Sequence, residues 1–314
     1  MVKAVMLLSG GLDSLVAAKL LLDQGIELEG LNFTSPFCTC GGAAEGCAAA
    51  TRSAKQLGIP LTIIAKGMDY LEIVEHPRHE RGRALNPCID CRIYSLKKAK
   101  EFMKEKQADF IATGEVIGQR PMSQTRNKLL LIEREAQVEG IVVRPLSAKL
   151  LSPTIPEQKG FVDREKLLAI SGRKRKTQIE LAKKNNYDYD CPSGGCLLTE
   201  KGYSKKLLDL FEHKPYSMQD VLLLRVGRHY RLSEKAKAVL GRNESENELL
   251  KKMAGDNALL EPDFPAPTAI VTCKENRVLR EAAWLVLQNS KKNGRIFCEG
   301  KEIIPMQPIF CKRV

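Results

Sequence analysis

No uninterrupted apolar stretch in the 314 residues approaches the roughly 18 that a membrane-spanning helix requires, and the first apolar run is cut by Asp13. With no export-like start, the sequence reads as a cytoplasmic protein without a membrane partner. Internal repeats and low-complexity tracts are missing as well, so a repeat array is not expected. Acidic residues are short: 38 Asp and Glu face 50 Lys and Arg, a net +12 that favours a polyanionic partner such as nucleic acid. Because no export signal accompanies the ten cysteines, the disulfide frameworks that staple small secreted domains are not expected either. Metal binding or sulfur chemistry remains. What is present is an ordinary soluble composition, 43% hydrophobic and 28% charged, with length for two domains and a sizeable core.

From Lys3 to about Leu150 short apolar runs alternate with helical periodicity, the pattern of a doubly wound parallel sheet with helices on both faces. The run "KAVMLL" is the first strand, and "SLVAAKLLLDQG" a helix closed by Gly25. "ELEGLNFT", "LTIIAK" and "ADFIATG" are further strands, with "AAATRSAKQLGI" and "RIYSLKKAKEFMKEKQ" as helices. "FVDREKLLAISG" and "RKRKTQIELAKKNN" read as a helical segment closing this domain. The character changes near Pro215: "DVLLLRVG", "TAIVTC" and "GRIFCEG" read as short strands and "ENELLKKMAG" as a helix. The expected organisation is therefore an α/β domain over residues 1–215 and a smaller α+β domain over 216–314.

The first strand leaves through "SGGLDS". In doubly wound sheets ligands bind beyond the carboxyl ends of the strands, where helix N-termini aim N–H groups and partial positive charge at them. Ser9, Gly10 and Gly11 let the backbone wrap an anion, and Ser14 adds a hydroxyl. The loop lacks the Walker A lysine, and Asp13 stands where a magnesium ligand would be useful. An ordinary capped turn is the structural alternative. The motif resembles the SGGxDS loop of the PP-loop ATP pyrophosphatases, which cleave ATP to AMP and pyrophosphate while adenylating a substrate. That resemblance runs from Lys3 to about Phe211. It implies an adenine nucleotide alpha hydrolase-like fold, with ATP phosphates and Mg²⁺ at Ser9, Gly10, Gly11, Asp13 and Ser14. It further implies that Asn32 and Phe33 lie near adenine and that Ala112 to Glu115, including Gly114, face the nucleotide.

The cysteines cluster: Cys38, Cys40 and Cys47; Cys88 and Cys91 in "NPCIDC"; Cys191 and Cys196 around "PSGG". Cys88 and Cys91 stand just before a helix, where its N-terminus and Arg92 favour thiolates. Two cysteines in CxxC spacing and one further cysteine suit a metal or iron–sulfur site with one open position, or a reducible dithiol. Within a PP-loop frame, these motifs resemble the tRNA thiouridine synthetases. In members without a cluster an NPDxxC motif and a later GxC carry the catalytic cysteines; here Cys88 replaces the aspartate, Cys91 matches the first and Cys196 the second, with Cys191 the weaker match. The departure resembles the branch in which three cysteines hold a [4Fe–4S] cluster. The resemblance implies catalytic roles for Cys88, Cys91, Cys196 and Asp13, tRNA as substrate, and sulfide or a sulfur donor protein as partner. It leaves open a persulfide route through Cys196 and Cys91.

Arg120, Arg126, Arg173, Lys174 and Arg175, in "GQRPMSQTRNK" and "SGRKRK", suit tRNA phosphates or ATP, although any one can be a surface charge. The CxCx₆C spacing of Cys38, Cys40 and Cys47 could bind Zn²⁺ with a fourth ligand, or supply thiols at the mouth of the site. His76 and His79 read as part of a basic loop rather than a ligand pair. Residues from about Ser217 to Val314, with Arg228, Arg231 and Arg242 among apolar strand residues, resemble the RNA-binding domain of NFACT proteins; a basic structural or dimerisation domain is the alternative. The expectation is an ATP-dependent tRNA uridine sulfurtransferase. A PP-loop ligase adenylating a small molecule and a non-catalytic RNA-binding module are its rivals, and a homodimer is left open.

Overall fold

The computed structural model describes residues 1–39, 47–189 and 195–314 and divides into two units, Met1–Thr199 and Glu200–Val314. In the first, the elements run β1 (Lys3–Leu7), α1 (Leu12–Leu22), β2 (Glu27–Thr34), α2 (Ala48–Leu57), β3 (Leu61–Ala65), α3 (Met68–Glu75), α4 (Cys88–Glu105), β4 (Phe110–Thr113), α5 (Arg126–Ala136), β5 (Val142–Val143), α6 (Ile155–Gln158) and α7 (Lys176–Lys184). The five strands are parallel in the order β3-β2-β1-β4-β5, so strand order reverses between β1 and β4. That reversal opens a crevice at the strands' carboxyl ends.

Alternation along β1 builds both cores. Ala4 and Met6 pack with Leu12, Leu15 and Ala18 of α1 on one face, while Val5 and Leu7 pack with Ile89, Ile93 and Leu96 of α4 on the other. Helix α1 is buried around most of its circumference, which suits its sequence of almost continuous Leu, Val and Ala. The segment "FVDREKLLAISG" departs from the expected helix: only a short 3₁₀ turn forms, at Arg164–Lys166, after Asp163 accepts from the Glu165 amide at 3.0 Å. No helix among the described residues is long and apolar enough to cross a membrane.

The second unit contains α8 (Lys201–Glu212), α9 (Met218–Leu223), β6 (Arg228–Arg231), β7 (Lys237–Leu240), α10 (Glu244–Met253), β8 (Ala258–Pro262), β9 (Ala269–Val271), α11 (Asn276–Gln288), β10 (Ile296–Cys298), β11 (Lys301–Glu302) and β12 (Lys312–Arg313). Its strands pair antiparallel in the order β11-β10-β8-β9-β7-β6-β12. Leu240, Leu260 and Val271 pack against Leu279, Ala282 and Val286 of α11.

Two expectations change here. The boundary falls at Thr199 rather than near Pro215, because α8 is bound to the strands that follow it: Asp209 pairs with Arg231 at 2.6 Å and Lys237 at 3.3 Å, all three buried. The "DVLLLRVG" segment begins in α9 rather than in a strand. Its start is a capping box, in which the Ser217 amide donates to Asp220 Oδ2 at 2.8 Å.

Candidate active site

Gly10 adopts φ +77, and a Cβ there would lie 2.5 Å from the backbone of Ala49 and Ala50, so only glycine lets the loop after β1 pass α2. Gly114 is equally constrained: its added Cβ would meet the Ser14 amide nitrogen at 2.5 Å. The two strand ends that flank the crevice are thus pressed together. Ser14 Oγ donates to the Gly11 carbonyl at 2.9 Å and lies 3.1 Å from Ser9 Oγ, which ties the loop to the first turn of α1. Gly11 is the N-cap of α1 and no side chain caps the helix there, an arrangement that suits an anion.

Asp13 sits at this helix start. Its carboxylate accepts from Gln178 Nε2 at 3.1 Å and pairs with Arg175 at 3.3 Å, so α7 supplies partners to the loop. At the end of β2, Asn32 donates through Nδ2 to the Leu8 carbonyl at 2.7 Å, while its buried Oδ1 has no hydrogen-bond partner among the described residues. Phe33 stands beside it on the same cavity wall. Glu115, predicted to face the nucleotide, is buried and engaged by Arg144 at 3.1 Å and Arg92 at 3.4 Å. Burial opposes its charge, and the two arginines outweigh that, holding its carboxyl below the usual range. It also lines the cavity, where it pairs with both arginines.

One cavity of about 630 Å³ joins these groups to the thiols. Ser9, Gly10, Gly11, Asp13 and Ser14 line it together with Cys38, Cys47, Cys88, Cys91 and Cys196. Cys88 and Cys91 lie in the first turn of α4 rather than before it; Pro87 is the N-cap. Cys196 reaches the cavity because its segment makes an isolated antiparallel bridge with Cys38. The Leu197 amide donates to the Phe37 carbonyl at 2.8 Å, and the Thr39 amide to the Gly195 carbonyl at 3.3 Å.

The three thiols differ in ionisation. Burial opposes charge on Cys91, but Lys66 Nζ lies 3.1 Å from its sulfur; with Tyr70 and Arg92 it draws the thiol below its ordinary value. Burial raises Cys88, helped by Cys91, and pushes Cys196 up to about 12. Lys66 is the functional candidate that sequence reasoning missed. It follows β3, is 7% exposed, donates to Ser95 Oγ at 3.0 Å, and sits over the rings of Tyr70 at 4.3 Å and Tyr94 at 5.3 Å.

Among the described residues no group of three or more His, Cys, Asp or Glu closes on a point as a single-ion site does. Soft sulfur ligands are nonetheless the donor set of iron–sulfur clusters, and Cys88, Cys91 and Cys196 are three of the five cysteines that line this cavity. Cys40 and Cys191 lie outside the described residues, so the zinc expectation retains Cys38 and Cys47 as described thiols, both lining the same cavity. His76 is exposed. His79 is held between Asp90 at 3.1 Å and Glu135 at 3.0 Å, a latch between the loop before α4 and the helices α4 and α5.

The predicted cationic residues separate. Arg120 and Arg175 line the cavity, and burial with neighbouring Arg92 lowers Arg120. Arg126 donates to the Leu150 carbonyl, and Arg173 and Lys174 are exposed. In the second unit Arg228 and Arg242 line a separate cavity of about 650 Å³, where Arg242 pairs with Glu246. Arg231 is corrected: its guanidinium is buried against Asp209, so its charge is spent inside the unit.

Residues 1–149 match the family model described as thiamine biosynthesis protein (ThiI), and residues 227–297 match the NFACT protein RNA-binding domain. The tRNA-specific 2-thiouridylase MnmA of Stutzerimonas stutzeri is 28% identical over 236 residues, covering 72% of this chain and 60% of the relative. The chain thus spans about three fifths of that relative's length. A 4-thiouridine synthetase–RNA complex with bound ATP aligns at 26% identity and TM-score 0.42, covering 71% of this chain and 51% of that one. The U34-tRNA thiolase NcsA of Methanococcus maripaludis, solved with its [4Fe–4S] cluster, aligns at 21% identity and TM-score 0.39, covering 71% and 73%.

Proposed function

From a ThiI-type PP-loop domain followed by an NFACT-type RNA-binding domain, we propose an ATP-dependent tRNA sulfurtransferase that exchanges a uridine carbonyl oxygen for sulfur. The observation that carries this reading is the single cavity shared by the phosphate cradle and Cys88, Cys91 and Cys196. A carbonyl oxygen is a poor leaving group, so the two halves of that cavity answer two needs. The uridine oxygen attacks the α-phosphate of ATP, pyrophosphate departs, and the oxygen becomes part of an adenylate ester. Sulfur then adds at the carbon and AMP leaves with the oxygen.

The chain's own groups suit each need. The first-turn amides of α1, with Ser9 and Ser14, would bind phosphate oxygens, and Arg120 and Arg175 would offset charge developing there. Asn32 Oδ1, buried and unpartnered among the described residues, can accept from the adenine amine. Asp13 would exchange its Arg175 contact for Mg²⁺. Cys88, Cys91 and Cys196 would hold a [4Fe–4S] cluster, which supplies an open coordination position for a sulfur nucleophile. Lys66 would offset thiolate charge on Cys91, and the second unit would hold tRNA through Arg228 and neighbouring cations.

Mass spectrometry of nucleosides from the tRNA of a deletion strain tests the reading. Loss of one thiouridine is expected. An unchanged thionucleoside profile contradicts it, and loss of a deazaguanine instead would assign the chain to the small-molecule ligases.

A further inference from the structure

Cys38 takes no part in the proposed chemistry, yet it is the residue directly opposite Cys196. The bridge bonds run between their neighbours: Leu197 N–H to the Phe37 carbonyl on one side, Thr39 N–H to the Gly195 carbonyl on the other. That makes Cys38 and Cys196 a non-hydrogen-bonded antiparallel pair, in which facing Cα atoms are about 4.5 Å apart and side chains share one face. Disulfides accept Cα separations of about 4.4–6.8 Å. Both thiols are free and partly accessible at the cavity wall. Ser35 Oγ lies 3.4 Å from Cys38 Sγ and can donate to it as a thiolate.

We propose that Cys38 and Cys196 form a reversible redox pair, closing to a disulfide by exchange with a small-molecule disulfide. One thiolate attacks the small disulfide, forming a mixed disulfide and releasing one small thiol. The other then attacks the protein sulfur of that mixed disulfide and releases the second. Two cysteines lose two electrons and two protons, and the small disulfide gains them as two thiols. The consequence for function rests on the reading above: the closed pair removes Cys196 from the set with Cys88 and Cys91, so oxidation would empty the sulfur half of the cavity and leave the ATP half intact.

The test uses the full chain, reduced without oxygen, equilibrated in glutathione buffers from fully reduced to fully oxidised, then alkylated and digested with trypsin without reductant. The tryptic peptides 20–52 and 185–201 should appear joined, two hydrogens lighter than their sum, and separate again in dithiothreitol. The joined species should vanish in Cys38→Ser and persist in Cys40→Ser. Absence of a Cys38–Cys196 link even in fully oxidised glutathione, or a link from Cys196 to Cys91 or Cys88 in its place, overturns the proposal. Iron uptake separates it from the reading it rests on. If the pair closes and oxidised wild type loses iron binding that oxidised Cys38→Ser retains, both stand. If the pair closes and iron binding is the same, the redox pair stands and Cys196 is not a ligand.

Discussion

Replacing Lys66 by methionine keeps most of the side-chain volume in its aromatic cage and removes the ammonium 3.1 Å from Cys91 Sγ. A hydrogen bond to a charged group contributes about 1.5–3 kcal/mol. Its loss should raise the Cys91 thiol. Burial alone pushes this thiol upward, so the variant should behave like Cys88 rather than like wild-type Cys91. The assay is a short iodoacetamide pulse on metal-free protein across pH, with the Cys91 peptide quantified by mass spectrometry. A raised alkylation midpoint is expected. The sign for stability also follows: a thiol lowered by folding stabilises the native state above its unfolded value of about 8.5, and this is lost as pH falls through the folded value. Lys66→Met should flatten that dependence in denaturant titrations. An unchanged midpoint would rule out Lys66 and leave Arg92 and Tyr70 as the source of the lowered value.

Gly114→Ala drives a Cβ into the Ser14 backbone at 2.5 Å; overpacking of this kind costs about 1–3 kcal/mol, so both the melting temperature and ATP affinity should fall in thermal and calorimetric measurements. Asp13→Asn should leave the fold intact and depress Mg²⁺-dependent pyrophosphate release at least tenfold, since its carboxylate already rests between Arg175 and Gln178 at the cradle. Asp209→Asn removes the anion shared by Arg231 and Lys237, and breaking a buried pair costs about 3–5 kcal/mol. Burial opposes charge on Asp209 but those two cations lower its carboxyl. Its stabilisation is present above the unfolded carboxylate value of about 3.9 and fades as pH falls through the folded one, a fade that guanidinium titrations of the variant should lack.

The loop proposed to hold phosphate was legible as a loop because it is local: strand, glycines, aspartate and helix start lie within "VMLLSGGLDS". The sheet was legible for the same reason, since β1 to β4 each carry their own apolar run. The joining of Cys196 to Cys88 and Cys91 depends on a bridge to Cys38, 158 residues away in sequence, and no spacing rule reveals such a contact. Lys66 carried a weak signal, a lysine closing "LTIIAK" at the carboxyl end of a strand, where ligands of such sheets bind. Arg231 misled because its buried partner, Asp209, lies in a helix that sequence reading assigned to the other domain. The same contact explains why α8 belongs to the second compact unit: Asp209 pairs with two cations of the following sheet.

The cluster reading is tested most directly by the iron and sulfide content of the chain purified without oxygen, as wild type and as Cys88→Ser, Cys91→Ser and Cys196→Ser. The expected result is the stoichiometry of one [4Fe–4S] cluster per wild-type chain and its loss in each variant, with ATP binding retained in all four. Iron that survives any one of these substitutions undiminished, or a wild-type chain that binds ATP and thiolates tRNA without iron, would contradict it.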